Sequence, residues 1–331
     1  MNALLPSLKS KELKDLHRLR SSKHGPMLDA HFAHQKRQAD SQGPEVQKAW
    51  FNAMKKVFEE IDEMLVVLSP AAPFSFLDVG CCPGGFSSYI LSTYPHARGS
   101  GVSLPVDKGG HALLLEEALQ PRFDLIWADI TLFQLGNTLT LNPSFTPFPF
   151  SPEHPGYDLI ILDGHPLRTA GPDVHALGDK LLISSLILGL WCINRGGTII
   201  MKLSMPDRKI TAQILYMFDV LSGDLRTWKP VHIHATRSTF YAIARNFGCG
   251  GHAPRYNEIF ERLRHLWEAL VGADVLGNGR GRRLLPSDLD FIVDDAGLKD
   301  YSKRLKALSK HLWMVERESL AQWHEARRNG L

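Results

Sequence analysis

Between residues 74 and 221, short apolar runs alternate with helix-like stretches, and this alternation limits the fold more than any other feature of the chain. "FSFLDVG" (74–80), "RGSGVSL" (98–104), "FDLIWADI" (123–130), "YDLIILDG" (157–164) and "GGTIIMKLS" (196–204) read as strands. "GFSSYILSTY", "GGHALLLEEAL", "ALGDKLLISSLILGLWCI" and "DRKITAQILYMFDVLSG" read as intervening helices, with a long loop after the third strand. Near-continuous apolar strands separated by helices are the pattern of a parallel sheet covered on both faces. Two further runs, "WKPVHIHAT" (228–236) and "TFYAIARNF" (239–247), stand too close together for a helical crossover and predict an antiparallel hairpin. The expected fold class is α/β: a Rossmann-like, mostly parallel sheet with a reversed terminal strand. Ligands then belong at the carboxyl ends of the strands, near the switch point.

Outside this block the pattern becomes helical. From Gln47 to Leu68 the residues Phe51, Met54, Phe58, Ile61 and Leu65 recur at steps of three and four, which makes an amphipathic helix. Three parts are expected: a polar, basic extension over 1–46, an α/β domain over 47–247, and a helical appendage over 248–331 that follows the break "FGCGGHAP".

No run of 18 or more apolar residues occurs, so no membrane partner is expected. The N-terminus lacks the apolar core of a signal peptide. "KSKELKDLHRLRSSKHG" is basic like a transit peptide, but Glu12 and Asp15 count against that. The expected compartment is intracellular, cytoplasmic or nuclear, with mitochondrial import as the alternative. The four cysteines lie at 81, 82, 192 and 249 and form no C-x-x-C spacing, so no structural metal is expected. Adjacent Cys81 and Cys82 read as small, soft residues in the loop of a reduced protein. A net charge of +3 permits a nucleic-acid partner without demanding one.

The chemistry concentrates in "FLDVGCCPGGFSSYI" (76–90). It lacks the G-K-[ST] ending of a phosphate loop and departs from G-x-G-x-x-G. Gly80, Gly84 and Gly85 supply a tight turn and close backbone approach, and helix amides follow them. Asp78 at the strand end suits a ligand ammonium. A small zwitterion carrying a nucleoside fits this loop better than a pyrophosphate does.

"LDVGCCPGGFSSYIL" resembles motif I of the FtsJ-like (RrmJ-like) S-adenosylmethionine-dependent ribose 2′-O-methyltransferases, which reads roughly L-D-x-G-x-x-P-G-G-[FW]-[ST]. The resemblance covers roughly residues 48–246. It implies S-adenosyl-L-methionine as cofactor and RNA as substrate. The implied cofactor contacts are Asp78, Gly80, Cys82, Pro83, Gly84, Gly85 and Phe86, then Ser103 and Leu104, Asp129 and Ile130, and Asp163. Ser103 stands where the family places an acid for the cofactor ribose. Any of the strand-end acids could instead cap the following helix.

The same resemblance implies a Lys-Asp-Lys-Glu centre, matched here by Lys55, Asp163 and Lys202. A ribose hydroxyl must lose its proton as it attacks the sulfonium methyl. A lysine assists only if its pKa falls well below the free value of about 10.4. Lys55 borders the apolar face of its helix, whereas Lys56 points away from the core. Lys202 interrupts an apolar strand, which is costly unless it faces a site; the other reading is a snorkelling strand-end lysine. The family's glutamate is replaced by Thr239 in "TFY" (239–241). The alternatives are therefore a weak or inactive cofactor-binding module, or a methyltransferase for a substrate other than RNA. The loop 131–156, with Phe145, Phe148 and Phe150, reads either as an insertion folded on its own aromatics or as a wall that stacks acceptor bases. "GRGRR" (279–283) reads as a phosphate contact or as a solvated turn.

Overall fold

In the computed structural model the described residues are 5, 8–21, 43–65, 67, 72–137, 142–150, 156–167, 174–275 and 282–328. The apolar runs form one seven-stranded sheet of order β3-β2-β1-β4-β5-β7-β6. Its strands are β1 (Ser75–Val79), β2 (Arg98–Ser103), β3 (Phe123–Trp127), β4 (Tyr157–Leu162), β5 (Ile193–Ser204), β6 (Ser222–Trp228) and β7 (Thr239–Phe247). The first five run parallel, and β7 lies antiparallel between β5 and β6. The order turns back between β1 and β4, so the chain leaves their carboxyl ends toward opposite faces of the sheet, which is where a ligand site is expected.

Seven helices flank the sheet among the described residues: α1 (Lys11–Arg20), α2 (Pro44–Leu65), α3 (Gly85–Thr93), α4 (Val174–Cys192), α5 (Lys209–Leu221), α6 (Tyr256–Val275) and α7 (Asp295–Arg328). Successive strand residues point to opposite faces, and each face has its own core. Phe76, Leu159, Ile161 and Tyr241 pack with Phe58 and Ile61 of α2 and Phe86 and Ile90 of α3. Leu77, Ile160 and Ile199 pack on the other side with Ile187 of α4, Phe218 of α5, Trp267 of α6 and Trp313 of α7. This second core runs unbroken from Leu8 and Leu16 to Leu320, so the flanking parts of the chain share it with the sheet.

Two expectations are corrected. The segment "GGHALLLEEAL" is not a helix: residues 104–119 form an irregular strap with a single 3₁₀ turn at Val106–Lys108. Its backbone donors are taken by other parts of the fold. Ala112 N–H donates to Gln47 Oε1 at 2.9 Å and Leu114 N–H to the Pro83 carbonyl at 2.9 Å. Gly109 also adopts φ +95°, where a helix cannot continue. The second correction concerns β6, which ends at Trp228, where the expected strand "WKPVHIHAT" begins. β6 is an edge strand with Asp224 and Arg226 on it, so it lacks the apolar signature, and residues 229–238 form the connecting loop.

That loop is pinned from beneath. Lys229, 1% exposed, donates to the carbonyls of Arg237 and Thr239, the latter at 2.9 Å. Its charge faces Glu316 of α7 at 3.7 Å, and Glu316 in turn pairs with Arg20 of α1 at 2.6 Å.

Candidate active site

The turn after β1 is built by close backbone approach. Gly80 has φ +82°, and a Cβ there would lie 2.6 Å from Gly164 Cα, in the turn after β4. Gly84 has φ +105° and caps α3, with the cis Cys82–Pro83 peptide just before it. At Gly85 a Cβ would lie 2.4 Å from the Phe51 carbonyl, so α2 and α3 pack backbone to backbone. Only glycine meets these demands at positions 80 and 84 without strain. Phe86 is buried between Phe58 and Tyr241 and anchors the helix start.

Asp78 is 1% exposed, and Ser87 Oγ donates to its Oδ2 at 2.7 Å. Its Oδ1 is buried and has no hydrogen-bond partner among the described residues. Burial pushes the carboxyl up to about 7, with the Asp163 charge acting the same way and the Ser87 hydrogen bond opposing. Ser103 and Cys82 face each other at the end of β2; hydrogen bonding from Cys81 and Ser103 lowers the Cys82 thiol pKa. Leu104 opens the strap. Asp129 caps the 3₁₀ turn Ile130–Leu132, accepting from Thr131 N–H at 2.9 Å and Thr131 Oγ1 at 2.7 Å. The capping reading of Asp129 is therefore realised through Oδ1.

Asp163 and Lys202 meet at the ends of adjacent strands β4 and β5. Lys202 Nζ lies 3.1 Å from Asp163 Oδ2 and donates to the Asp163 main-chain carbonyl as well. Both side chains are mostly buried, at 16% and 13% exposure. Tyr241 of β7, fully buried, donates to Asp163 Oδ1 at 2.8 Å. The aspartate thus has both oxygens occupied, one by a cation and one by a phenol. Tyr241 carries no ionisable signature in sequence. What points to it is a tyrosine in a buried strand, whose hydroxyl needs a partner.

Lys55 is drawn elsewhere. Its Nζ donates to Ser88 Oγ at 2.9 Å and to Glu116 Oε1 at 3.2 Å, and Ser88 also donates to Glu116. It is half-buried while Lys56 is exposed, as the helical wheel predicts. The structure brings Lys55 to the strap over α3 and leaves it outside the hydrogen bonds of the Lys202–Asp163 pair. Thr239 pairs with Ser204 across β5 and β7, two residues beyond the Lys202–Tyr241 pair.

A cavity of about 440 Å³ lies between Trp50 of α2 and the β6–β7 loop, lined by His232, Ile233, Thr236 and Arg237 among others. The aromatics of the loop after β3 turn inward: Phe145 meets Trp267, and Phe148 meets Phe133, Phe150 and Trp191. Phe145 and Phe150 are buried and Phe148 is partly buried against the same core. Arg282 and Arg283 pair with Asp288 and Asp179. Residues 279–281 of "GRGRR" lie outside the described residues.

A doubly covered sheet with a glycine turn at the switch point, an orphan carboxylate oxygen inside it and a buried Lys–Asp pair alongside is the frame of an α/β protein with a ligand site at the carboxyl ends of its strands. The FtsJ-like methyltransferase family model matches residues 52–247, and the chain belongs to that family. It is an S-adenosylmethionine-dependent methyltransferase. No curated protein matches the chain. Among solved structures, a protein assigned as a ribosomal RNA methyltransferase from Plasmodium falciparum is 20% identical, with TM-score 0.41, over 58% of this chain and 96% of that one. Human methyltransferase-like protein 13 with SAH is 14% identical, with TM-score 0.37, over 65% and 91%. An O-methyltransferase family protein from Burkholderia thailandensis is 12% identical, with TM-score 0.35, over 71% and 68%.

The cradle fits S-adenosylmethionine. The unpartnered Asp78 Oδ1 offers an anionic acceptor to an ammonium. The turn at Gly80 and Gly84 has no side chain to stand between a ligand and the N-terminus of α3.

Proposed function

We propose that this methyltransferase modifies a ribose 2′-hydroxyl of RNA, with Lys202 and Asp163 at its centre. The observation that carries this reading is the buried Lys202–Asp163 pair at the carboxyl ends of β5 and β4, next to the cofactor turn. When bound, S-adenosylmethionine supplies an electrophilic methyl group on a sulfonium. In this reading Asp163 and Tyr241 fix the position of Lys202, and Lys202, after giving up its own proton, takes the hydroxyl proton as the oxygen attacks. Asp78, Gly80, Cys82, Pro83, Gly84, Gly85, Phe86, Ser103, Leu104, Asp129 and Ile130 line the cofactor side. Lys55 shapes that side by tying the strap to α3 through Ser88 and Glu116. The cavity against Trp50 has the size of a nucleotide-sized ligand pocket, roughly 300–1,000 Å³.

The test is transfer of labelled methyl from S-adenosylmethionine to RNA, and its loss when the acceptor RNA is replaced by DNA of the same sequence. Lys202→Ala should lower the rate by at least about a hundredfold, as expected for removing a general base. Full rate in that variant overturns the mechanism. Thr239 favours a second reading, since it cannot supply the carboxylate charge of a four-residue centre: a cofactor-binding module without turnover. Cofactor binding by calorimetry with no transfer to total RNA would select it.

A further inference from the structure

His234 lies in the β6–β7 loop and has no assigned part in the reaction. It is 7% exposed, and both ring nitrogens are buried without a hydrogen-bond partner among the described residues. Buried polar groups are rarely left in that state. Its ring faces Tyr241 at 6.3 Å between centroids, and Tyr241 holds Asp163. The charged and titratable groups acting on it are Lys202 of β5, Arg237 and Lys229 of its own loop and strand end, and His165 after β4. Burial, then the Lys202 charge, hold the imidazole well below its usual range, so it is neutral at pH 7. A neutral imidazole has one donor and one acceptor nitrogen.

Lys202 supplies the complementary need. A neutral lysine amine has two N–H donors and one lone pair. If both donors are held, the lone pair has a fixed direction. In this structure Asp163 receives Lys202 at its carboxylate and at its main-chain carbonyl. We propose that His234 is a positioning residue of the methyl-transfer centre, whose acceptor nitrogen takes a Lys202 N–H when Lys202 turns from the Asp163 carbonyl toward the acceptor hydroxyl. One N–H then rests on Asp163, the other on His234, and the lone pair faces the hydroxyl proton. A carboxylate at position 239 would accept the same N–H, but its negative charge would favour the ammonium over the reactive amine. The imidazole holds the donor without adding that charge. Lys229, bonded to the carbonyls of Arg237 and Thr239, ties down the loop that carries His234.

The inference rests on the proposed methyl transfer at Lys202, and the experiments separate the two. If wild type transfers no methyl group, the proposed function fails. If wild type is active, His234→Ala should lower kcat by about tenfold to a hundredfold, the range of groups that orient rather than react, while KM for S-adenosylmethionine stays constant. His234→Gln, which keeps a neutral acceptor, should retain most of the rate. Adding Thr239→Glu to His234→Ala should restore part of it, with the rate profile moved to higher pH because the added carboxylate favours the ammonium. Full rate in His234→Ala overturns the proposal. So does a loss that neither Gln nor Thr239→Glu recovers, since that pattern marks a purely structural residue. Nitrogen-15 NMR of the imidazoles in the full chain, with and without S-adenosylhomocysteine, needs no turnover. The bare nitrogen of His234 should show hydrogen bonding in the complex and lose it in Lys202→Met. A resonance without hydrogen bonding in both proteins overturns the contact.

Discussion

Tyr241 Oη lies 2.8 Å from Asp163 Oδ1 and donates its proton to it, so a strand-seven phenol fixes a strand-four carboxylate. The two strands are not neighbours; β5, which carries Lys202, runs between them. Burial and the Asp163 charge raise the Tyr241 pKa well above its usual value, which keeps the phenol a donor across the working pH range. Tyr241→Phe should leave one carboxylate oxygen unsatisfied and reduce stability by about 1–3 kcal/mol. The rate should fall as well, because Asp163 then swings more freely. Denaturant midpoints and kcat, measured on the same preparation, check both.

Gly80→Ala should abolish cofactor binding more thoroughly than it destabilises the fold. The residue sits at φ +82°, and its new methyl would press on Gly164 Cα at 2.6 Å. The backbone strain is on the order of 1–3 kcal/mol, but relief means separating the turns after β1 and β4, between which the ligand crevice opens. Calorimetry with S-adenosylhomocysteine should show affinity weakened by more than about tenfold, the equivalent of 1.4 kcal/mol. Unchanged affinity would contradict the close-approach account.

Asp78 predicts a pH signature. Its carboxyl is raised from 3.8 to about 7 in the folded protein, chiefly by burial. The folded state therefore holds this proton where the unfolded chain has lost it, and stability from this group falls as pH rises from about 4 to 7. A ligand ammonium beside the carboxylate favours the ionised form. Cofactor binding should then release a proton, and affinity should rise with pH until it levels above about 7. Calorimetry in buffers of different ionisation enthalpy reads the proton directly. Asp78→Asn should flatten both profiles.

Glu316→Ala should be among the most damaging changes far from the cofactor. It removes the partner of Arg20 and the carboxylate 3.7 Å from Lys229, leaving a buried ammonium whose pKa burial already lowers to about 8. Breaking a buried pair from one side costs about 3–5 kcal/mol. Replacing Lys229 by Met in the same chain should recover part of that loss. Thermal unfolding of the single and double variants tests the coupling.

β1, β4 and the middle of β5 were legible because each is an apolar run that the sheet buries on both faces, as at Ile160 and Ile161, whereas β3 at the sheet edge leaves Trp127 exposed. The glycine turn was legible for a related reason: its backbone demands admit few residue types. The strap was not, because "ALLLEEAL" has good helix formers, and only tertiary partners such as Gln47 and the Pro83 carbonyl pull its amides away. β6 was displaced because an edge strand tolerates Asp224 and Arg226 and so leaves no hydrophobic trace. At the site, Lys202 stood out as a charge in an apolar strand and Asp163 was marked by the family resemblance, and the two meet at 3.1 Å. The partners of Lys55 did not show, because Glu116 reaches it across a strap whose path no local pattern specifies. Tyr241 and His234 leave no pattern in the sequence, since only the fold sets them near Asp163 and near each other.

The clasp of Arg20, Glu316 and Lys229 bears on how this enzyme could be shortened or recombined. The segment that defines its family, 52–247, ends short of Glu316 and begins after Arg20, yet both steady the loop before Thr239. That segment is thus no portable cassette: grafted onto other flanks, it would keep its glycine turn and lose the footing of the loop before Thr239.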